Sequence, residues 1–273
     1  MQALSKQRAL AELQAKIEAI EKRPQLAETA AFARESGSFL EAPAGVVHEI
    51  FADHPRDAAA TLGFALAQAS RLLRSERPAV IVLQLSTDGP ELGVPYGPGL
   101  TSFGVDPDAI VLARMDDPID LLWAMEEAIA CRAVAAVIAD IATPIRALDF
   151  TASRRLSLRG AASGCSAFLI RYARDREASA ARFRWRLSPM PSRPPPFDTQ
   201  APGRPRWQVT LEKGRLGGHR VVAVPEGEMF LVDWTERGFE QVAVDDRSRG
   251  ARHSPPLFGS LPAALGDRLS QAS

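Results

Sequence analysis

The chain has 273 residues, 46% of them hydrophobic and 24% charged, with 33 basic and 33 acidic side chains and a formal net charge of zero. That composition excludes a disordered polyelectrolyte and supplies apolar side chains for one large domain with appendages. Cys131 and Cys165 are too few for a disulfide framework, and no run reaches the ~20 apolar residues of a membrane span, so a soluble protein of the reduced cytoplasm is expected.

Residues 6–22, "KQRALAELQAKIEAIEK", set Leu10, Leu13, Ile17 and Ile20 three and four apart, which predicts an amphipathic helix limited by Pro24. It packs on its own domain or serves as an arm for another chain. Apolar residues around Val46, Val47 and Ile50 predict a short strand, Asp53 to Arg56 a tight loop, and the alanine-rich run to residue 74 a helix. Strands follow at Ala79 to Leu85, Ala109 to Met115, Val134 to Ile141 and Ser166 to Tyr172. Helices are expected between them over residues 118–132 and 149–164, with Pro118 in a first turn and Gly164 at an end. Cys131 and Cys165 each sit beside apolar sequence and read as small buried thiols. The fold class is therefore α/β, a mostly parallel sheet with crossover helices.

Residues 175–206 break this rhythm with prolines and arginines and predict a long, exposed, mobile loop. "RWQVTLEKGRLGGHRVVAVPEGEMFLVDW" then reads as antiparallel strands, with Gly214 to Gly218 as one turn, before a weakly patterned tail. The organisation expected is an N-terminal helical arm (1–36), a core (37–235) and a tail (236–273). Charge is segregated: Thr151 to Arg220 holds 15 basic and 4 acidic residues, leaving 18 basic and 29 acidic elsewhere. Such a segment faces a polyanion or an acidic partner.

A phosphate-binding loop needs glycines to turn backbone N–H groups toward phosphate, a lysine to neutralise charge and a hydroxyl for magnesium. The eight corresponding positions here run Ala52, Asp53, His54, Pro55, Arg56, Asp57, Ala58 and Ala59. Every defining residue is absent, Asp57 places a carboxylate beside the phosphate position, and Pro55 removes a donor. Asp140 closes the apolar run "VAAVIADI" and reads either as a magnesium-presenting strand end or as a loop or helix N-cap aspartate. No Ser, His and Asp set converges at recognisable spacing, and His48, His54, His219 and His253 do not cluster with cysteine for zinc. No catalytic residue, cofactor or metal is assigned.

The order of these parts resembles the RecA fold over about residues 40–235, including the "GVDPD" step before a strand. "GPGLTSFGVDPD", "TASRRLSLRGAASGCSAFLIR" and "RWQVTLEKGRLGG" resemble the ImuA family, RecA-like proteins of bacterial damage-inducible mutagenesis cassettes, which characteristically lack an intact phosphate loop. The resemblance implies a RecA-like core with C-terminal antiparallel strands. It implies a non-catalytic accessory protein of translesion synthesis, acting with the Y-family-like protein ImuB and an error-prone replicative-type DNA polymerase. RecA is a further candidate partner, and self-association is compatible with the fold. Where RecA-like enzymes carry a catalytic glutamate, the strand here continues "LQLSTDGPEL", with Ser86 near the expected place and Glu91 displaced.

The first DNA-contacting loop of such proteins corresponds to the short "ATPIRALDF", and the second to residues 173–206. There Arg174, Arg176, Arg182, Arg184, Arg186, Arg193, Arg204 and Arg206 occur with Phe183, Trp185 and Trp207. Arginine pairs phosphate bidentately and an aromatic ring stacks on an unpaired base, so the segment suits single-stranded DNA in an ATP-independent RecA paralogue. It equally suits an acidic partner surface or a solvated loop. "ARFRWRL" alternates basic and apolar residues as an edge strand does, open to a partner. In the helix "TASRRLSLRG", Arg155 and Arg159 read as a solvated or salt-bridged face, with Leu156 and Leu158 toward the sheet.

Overall fold

A computed structural model describes residues 40–242, except 42, 173–175, 215, 219–220 and 225–226. The expected helix over residues 6–22 lies outside the described residues. The described chain forms a nine-stranded sheet in the order β11-β10-β7-β6-β1-β5-β4-β2-β3. Its parallel part is β1 (Val47–Ala52), β2 (Ala79–Leu85), β3 (Ile110–Met115), β4 (Val134–Ile141), β5 (Ser166–Tyr172) and β6 (Phe183–Pro189). β7 (Arg206–Lys213), β10 (Met229–Thr235) and β11 (Gly238–Val242) extend it antiparallel, beyond the expected core boundary at 235. β8 (Leu216–Gly218) and β9 (Val221–Val224) pair separately, so the stretch expected as a turn at Gly214 to Gly218 is largely strand. The architecture is α/β with a mostly parallel sheet, consistent with a RecA-like core.

The parallel strands are buried apolar runs because both sheet faces are covered. Helix α1 (Ala58–Ser70) lies on one face. Its alanines and Gly63 permit close approach; a Cβ on Gly63 would meet the Phe103 ring at 2.6 Å. Helices α2 (Pro118–Ala130) and α3 (Phe150–Ser163) cover the other face through Leu121, Met125, Ile129, Ala152 and Leu156. Asp117 caps α2 on the Ile119 N–H at 2.6 Å, Asp149 caps α3 on the Ala152 N–H at 2.7 Å, and Gly164 ends α3 at φ 80°. Leu158, expected to face the sheet, is 51% exposed. It lies two residues from Leu156, on the opposite side of a helix.

Strand β6 corrects the reading of residues 175–206. It lies inside the sheet, between β1 and β7, and is no edge. Its period-two alternation puts Phe183, Trp185 and Leu187 into the core beneath α1, where Phe64, Trp207 and Phe239 gather. The indole N–H groups are satisfied: Trp185 donates to His48 Nδ1 (3.2 Å), Trp207 to the Ala60 carbonyl (2.9 Å) and Trp234 to the Ser102 carbonyl (2.9 Å). Cys165 is buried, which pushes its thiol up to about 12, whereas Cys131 is exposed just past α2, contrary to the reading of both as buried.

Candidate functional site

The crossing from β1 to α1 is a single 3-10 turn, Pro55–Asp57. The Asp57 N–H donates to the His54 carbonyl at 3.0 Å, and Pro55 has no N–H, so donors that a phosphate loop would present are spent or missing. The Asp57 carbonyl accepts from Thr61 Oγ1 at 2.8 Å, and Asp53 accepts from Arg186 at 2.9 Å. Ala52 and Ala58 are buried, while Ala59 is exposed on the first turn of α1. Arg56 is exposed within the turn and Arg186 is held on Asp53, but no lysine stands where a phosphate loop places one.

Asp140 sits within β4, 1% exposed, and is neither an N-cap nor a loop residue. It accepts from the Tyr172 hydroxyl of β5 at 2.7 Å and, at the limit of a hydrogen bond, from Gln84 Nε2 of β2 at 3.5 Å. Burial raises its carboxyl to about 6, against the opposing hydrogen bonds from Tyr172 and Gln84, with Asp88 adding to the rise. Burial and the Asp140 charge push the Tyr172 hydroxyl above its ordinary range. Gln84 Nε2 also reaches the Gly93 carbonyl at 3.4 Å, while Gln84 Oε1 is buried with no partner.

Asp88 was not singled out from the sequence and is the third carboxylate at this end of the sheet. Buried at 3% exposure, it accepts from the Ala142 N–H (2.9 Å), the Thr143 N–H (3.2 Å) and Thr143 Oγ1 (2.7 Å). It thereby pins the loop that follows β4. Ser86 and Glu91, the positions weighed for a catalytic carboxylate, are both exposed. Asp140 was singled out from the sequence, and the polar Gln84 in an otherwise apolar strand was a further signal for this network. Among the described residues no group of three or more His, Cys, Asp or Glu is placed to hold a metal ion.

The arginines of the basic segment divide. Arg184 pairs with the buried Glu49 at 2.8 Å, Arg176 with Glu212 at 2.8 Å, and Arg206 with Asp233 at 2.5 Å. Arg171 adds a longer contact to Glu49 at 3.8 Å, and Arg171, Arg176 and Arg184 all lie over the Phe51 ring. Trp185, Trp207 and Phe183 are in the core, so none stacks on an external base. Arg186 is half exposed while holding Asp53. Arg182, Arg193 and Arg204 are exposed, and Arg174 lies outside the described residues.

Residues 190–205 form a hydrogen-bonded arm between β6 and β7 where an open loop was expected. The Met190 N–H donates to the Arg206 carbonyl (3.0 Å), and the Gly203 N–H to Ser192 Oγ (3.0 Å). Asp198 accepts from the Gln200 and Ala201 N–H groups at 2.9 and 3.2 Å. A Cβ on Gly203 would fall 1.8 Å from the Arg193 carbonyl oxygen, so only glycine closes the stem. The tip carries Phe197, 90% exposed, which sequence reasoning missed.

Fold and site together define an α/β protein with a RecA-like core in which carboxylates are held at the end of the sheet by hydroxyl, amide and backbone donors. Comparison with known proteins gives 34% identity over 142 residues to Protein ImuA of Caulobacter vibrioides strain NA1000 / CB15N, covering 45% of this chain and 54% of that protein. Protein ImuA of Caulobacter vibrioides strain ATCC 19089 / CIP 103742 / CB 15 matches to the same extent. These matches support membership of the ImuA family. The chain spans about half the length of the curated relatives it matches. No family model matches the chain.

Proposed function

We propose that this chain is a non-catalytic adaptor in damage-induced mutagenesis, bringing an ImuB-type Y-family-like protein together with an error-prone replicative-type polymerase for translesion synthesis. One observation carries the reading: the β1–α1 turn has Asp57 and alanines where a phosphate loop holds its lysine and hydroxyl, and Asp140, at the place of a magnesium-presenting carboxylate, is buried against Tyr172 and Gln84. Like charge there opposes a triphosphate, and the β1–α1 turn spends its Asp57 N–H on His54. The likeness to ImuA proteins supports the process. Copurification of the tagged full chain with the ImuB-type protein, with and without Mg·ATP, tests it. Retention that is unchanged by nucleotide is expected, and failure to associate at about micromolar concentration would remove the adaptor role.

A second reading is favoured by the arm: exposed Arg193 and Arg204 on its stem, Phe197 at its tip and Arg182 just before β6 suit an unpaired nucleic acid bound without ATP. Binding to a single-stranded oligonucleotide should weaken as salt rises. The log K against log salt slope should become shallower by about one for each of Arg182, Arg193 and Arg204 replaced by alanine. A slope unchanged in the triple variant excludes this reading.

A further inference from the structure

Helices α2 and α3 lie side by side on one face of the sheet with opposite charges. Residues 118–130 contain Asp120, Glu126 and Glu127 and no basic residue, giving −3, whereas residues 150–163 contain Arg154, Arg155 and Arg159 and no acidic residue, giving +3. Asp116 and Asp117 extend the acidic side. Arg155 to Glu126 (2.8 Å), Arg159 to Glu126 (3.2 Å) and Arg159 to Glu127 (3.7 Å) tie the helices together, while Arg154 is exposed and outside these pairs.

The same face carries apolar side chains with no burial to show for their size. Ile119 (68% exposed) and Trp123 (66%) stand four apart on α2, and Phe150 (48%) and Leu158 (51%) stand eight apart on α3. Positions four and eight apart form one stripe along a helix, so each helix presents an apolar row beside its charges. An exposed tryptophan among charged neighbours is the composition of an association surface.

We propose that the α2–α3 face is an isologous interface for a second copy of this chain. The charge pattern selects that occupant. A two-fold axis through the face lays the acidic α2 of one copy on the basic α3 of the other, and the reverse match follows by symmetry. Glu126, Glu127, Arg155 and Arg159 pair within the chain, which leaves Asp120 on α2 and Arg154 on α3 to a partner, and a partner of single charge would be repelled by one of them. Trp123 and Leu158 supply the apolar centre, with the charges around them setting register. The inference goes beyond the adaptor reading and stands or falls separately from it.

Sedimentation of the full chain tests the interface with three variants. R154E/R155E/R159E makes both helices acidic, and D120K/E126K/E127K makes both basic. The wild type is expected to dimerise below about 100 μM, and each charge variant at least about tenfold more weakly. An equimolar mixture of the two variants should restore a dimer within a few-fold of wild type, because both helix contacts become attractive again. Trp123→Ala, which keeps every charge, should weaken the dimer by about tenfold or more. Circular dichroism of each variant establishes folding, and the exposed Trp123→Ala decides the matter should a charge variant unfold. A monomeric wild type at about 100 μM, charge variants that dimerise as wild type, or a mixture that stays monomeric would each overturn the proposal.

Discussion

The acidic end of the sheet and the arginine-rich segment both look, in composition, like places that meet a ligand, and the fold treats their charges differently. At the acidic end Asp140 is buried against neutral donors, Tyr172 and Gln84. Its carboxyl is therefore pushed to about 6, toward the protonated form. In the arginine segment, Arg184, Arg176 and Arg206 each have a carboxylate partner, so the charges persist as pairs inside the structure. Charge in a folded chain is answered by a counter-charge, by a proton or by water. Among the described arginines of that segment, Arg182, Arg193 and Arg204 are left to water and remain available to an external partner.

The contrast is broken most severely at Glu49. Glu49→Gln leaves Arg184 and Arg171, 14% and 13% exposed, without the ionised oxygen they share, and should cost about 3–5 kcal/mol in urea unfolding. A loss below about 1 kcal/mol would mean the pairs contribute little.

His48 comes next. It is buried among Phe168, Phe183 and Trp185, which lowers its pKa to about 3. The unfolded chain binds the proton near pH 6.5 and the folded one only near 3, so this contribution is complete above pH 6.5 and is lost as pH falls toward 3. The loss should reach about 2 kcal/mol at pH 5, and His48→Gln, which keeps an acceptor for Trp185, should flatten it in a pH series of denaturation curves.

Asp140 has the opposite sign. Its folded pKa is raised, so stability falls as pH rises from about 4 to about 6 and stays reduced above that. Asp140→Asn should therefore stabilise the chain by about 1–3 kcal/mol at pH 8, with a smaller gain at pH 4. Destabilisation at pH 8 would mean that the ionised carboxylate is required there. The smallest effect belongs to the exposed arginines: Arg204→Ala should change the thermal midpoint by no more than about 0.5 kcal/mol allows. A larger change would place Arg204 among the structural pairs.

These differences explain what the sequence disclosed. β2, β4 and β5 begin and end where their apolar runs do, because a strand buried on both faces has no other composition open to it. Pro118 and Gly164 mark helix ends by local chemistry, and they too were legible, whereas the Asp117 and Asp149 caps came from the structure. β6 was legible as a strand by its alternation but not as an interior one. Arginine at every second position signals solvent unless its carboxylate is known, and Glu49 lies 135 residues from Arg184. The same distance in sequence hid the Asp88 contact to Thr143 and the convergence of Gln84 and Tyr172 on Asp140. Phe197 was hidden for another reason: a proline-rich stretch gives no sign of the backbone pairing that closes its stem.

Calorimetric titration of Mg·ATP into the full chain, alone and with the proposed ImuB-type partner, tests most directly whether the end of the sheet has become structure. No saturable binding is expected up to about 1 mM nucleotide. Saturable binding tighter than about 100 μM that disappears in Asp140→Asn would contradict it and return the chain to the nucleotide enzymes.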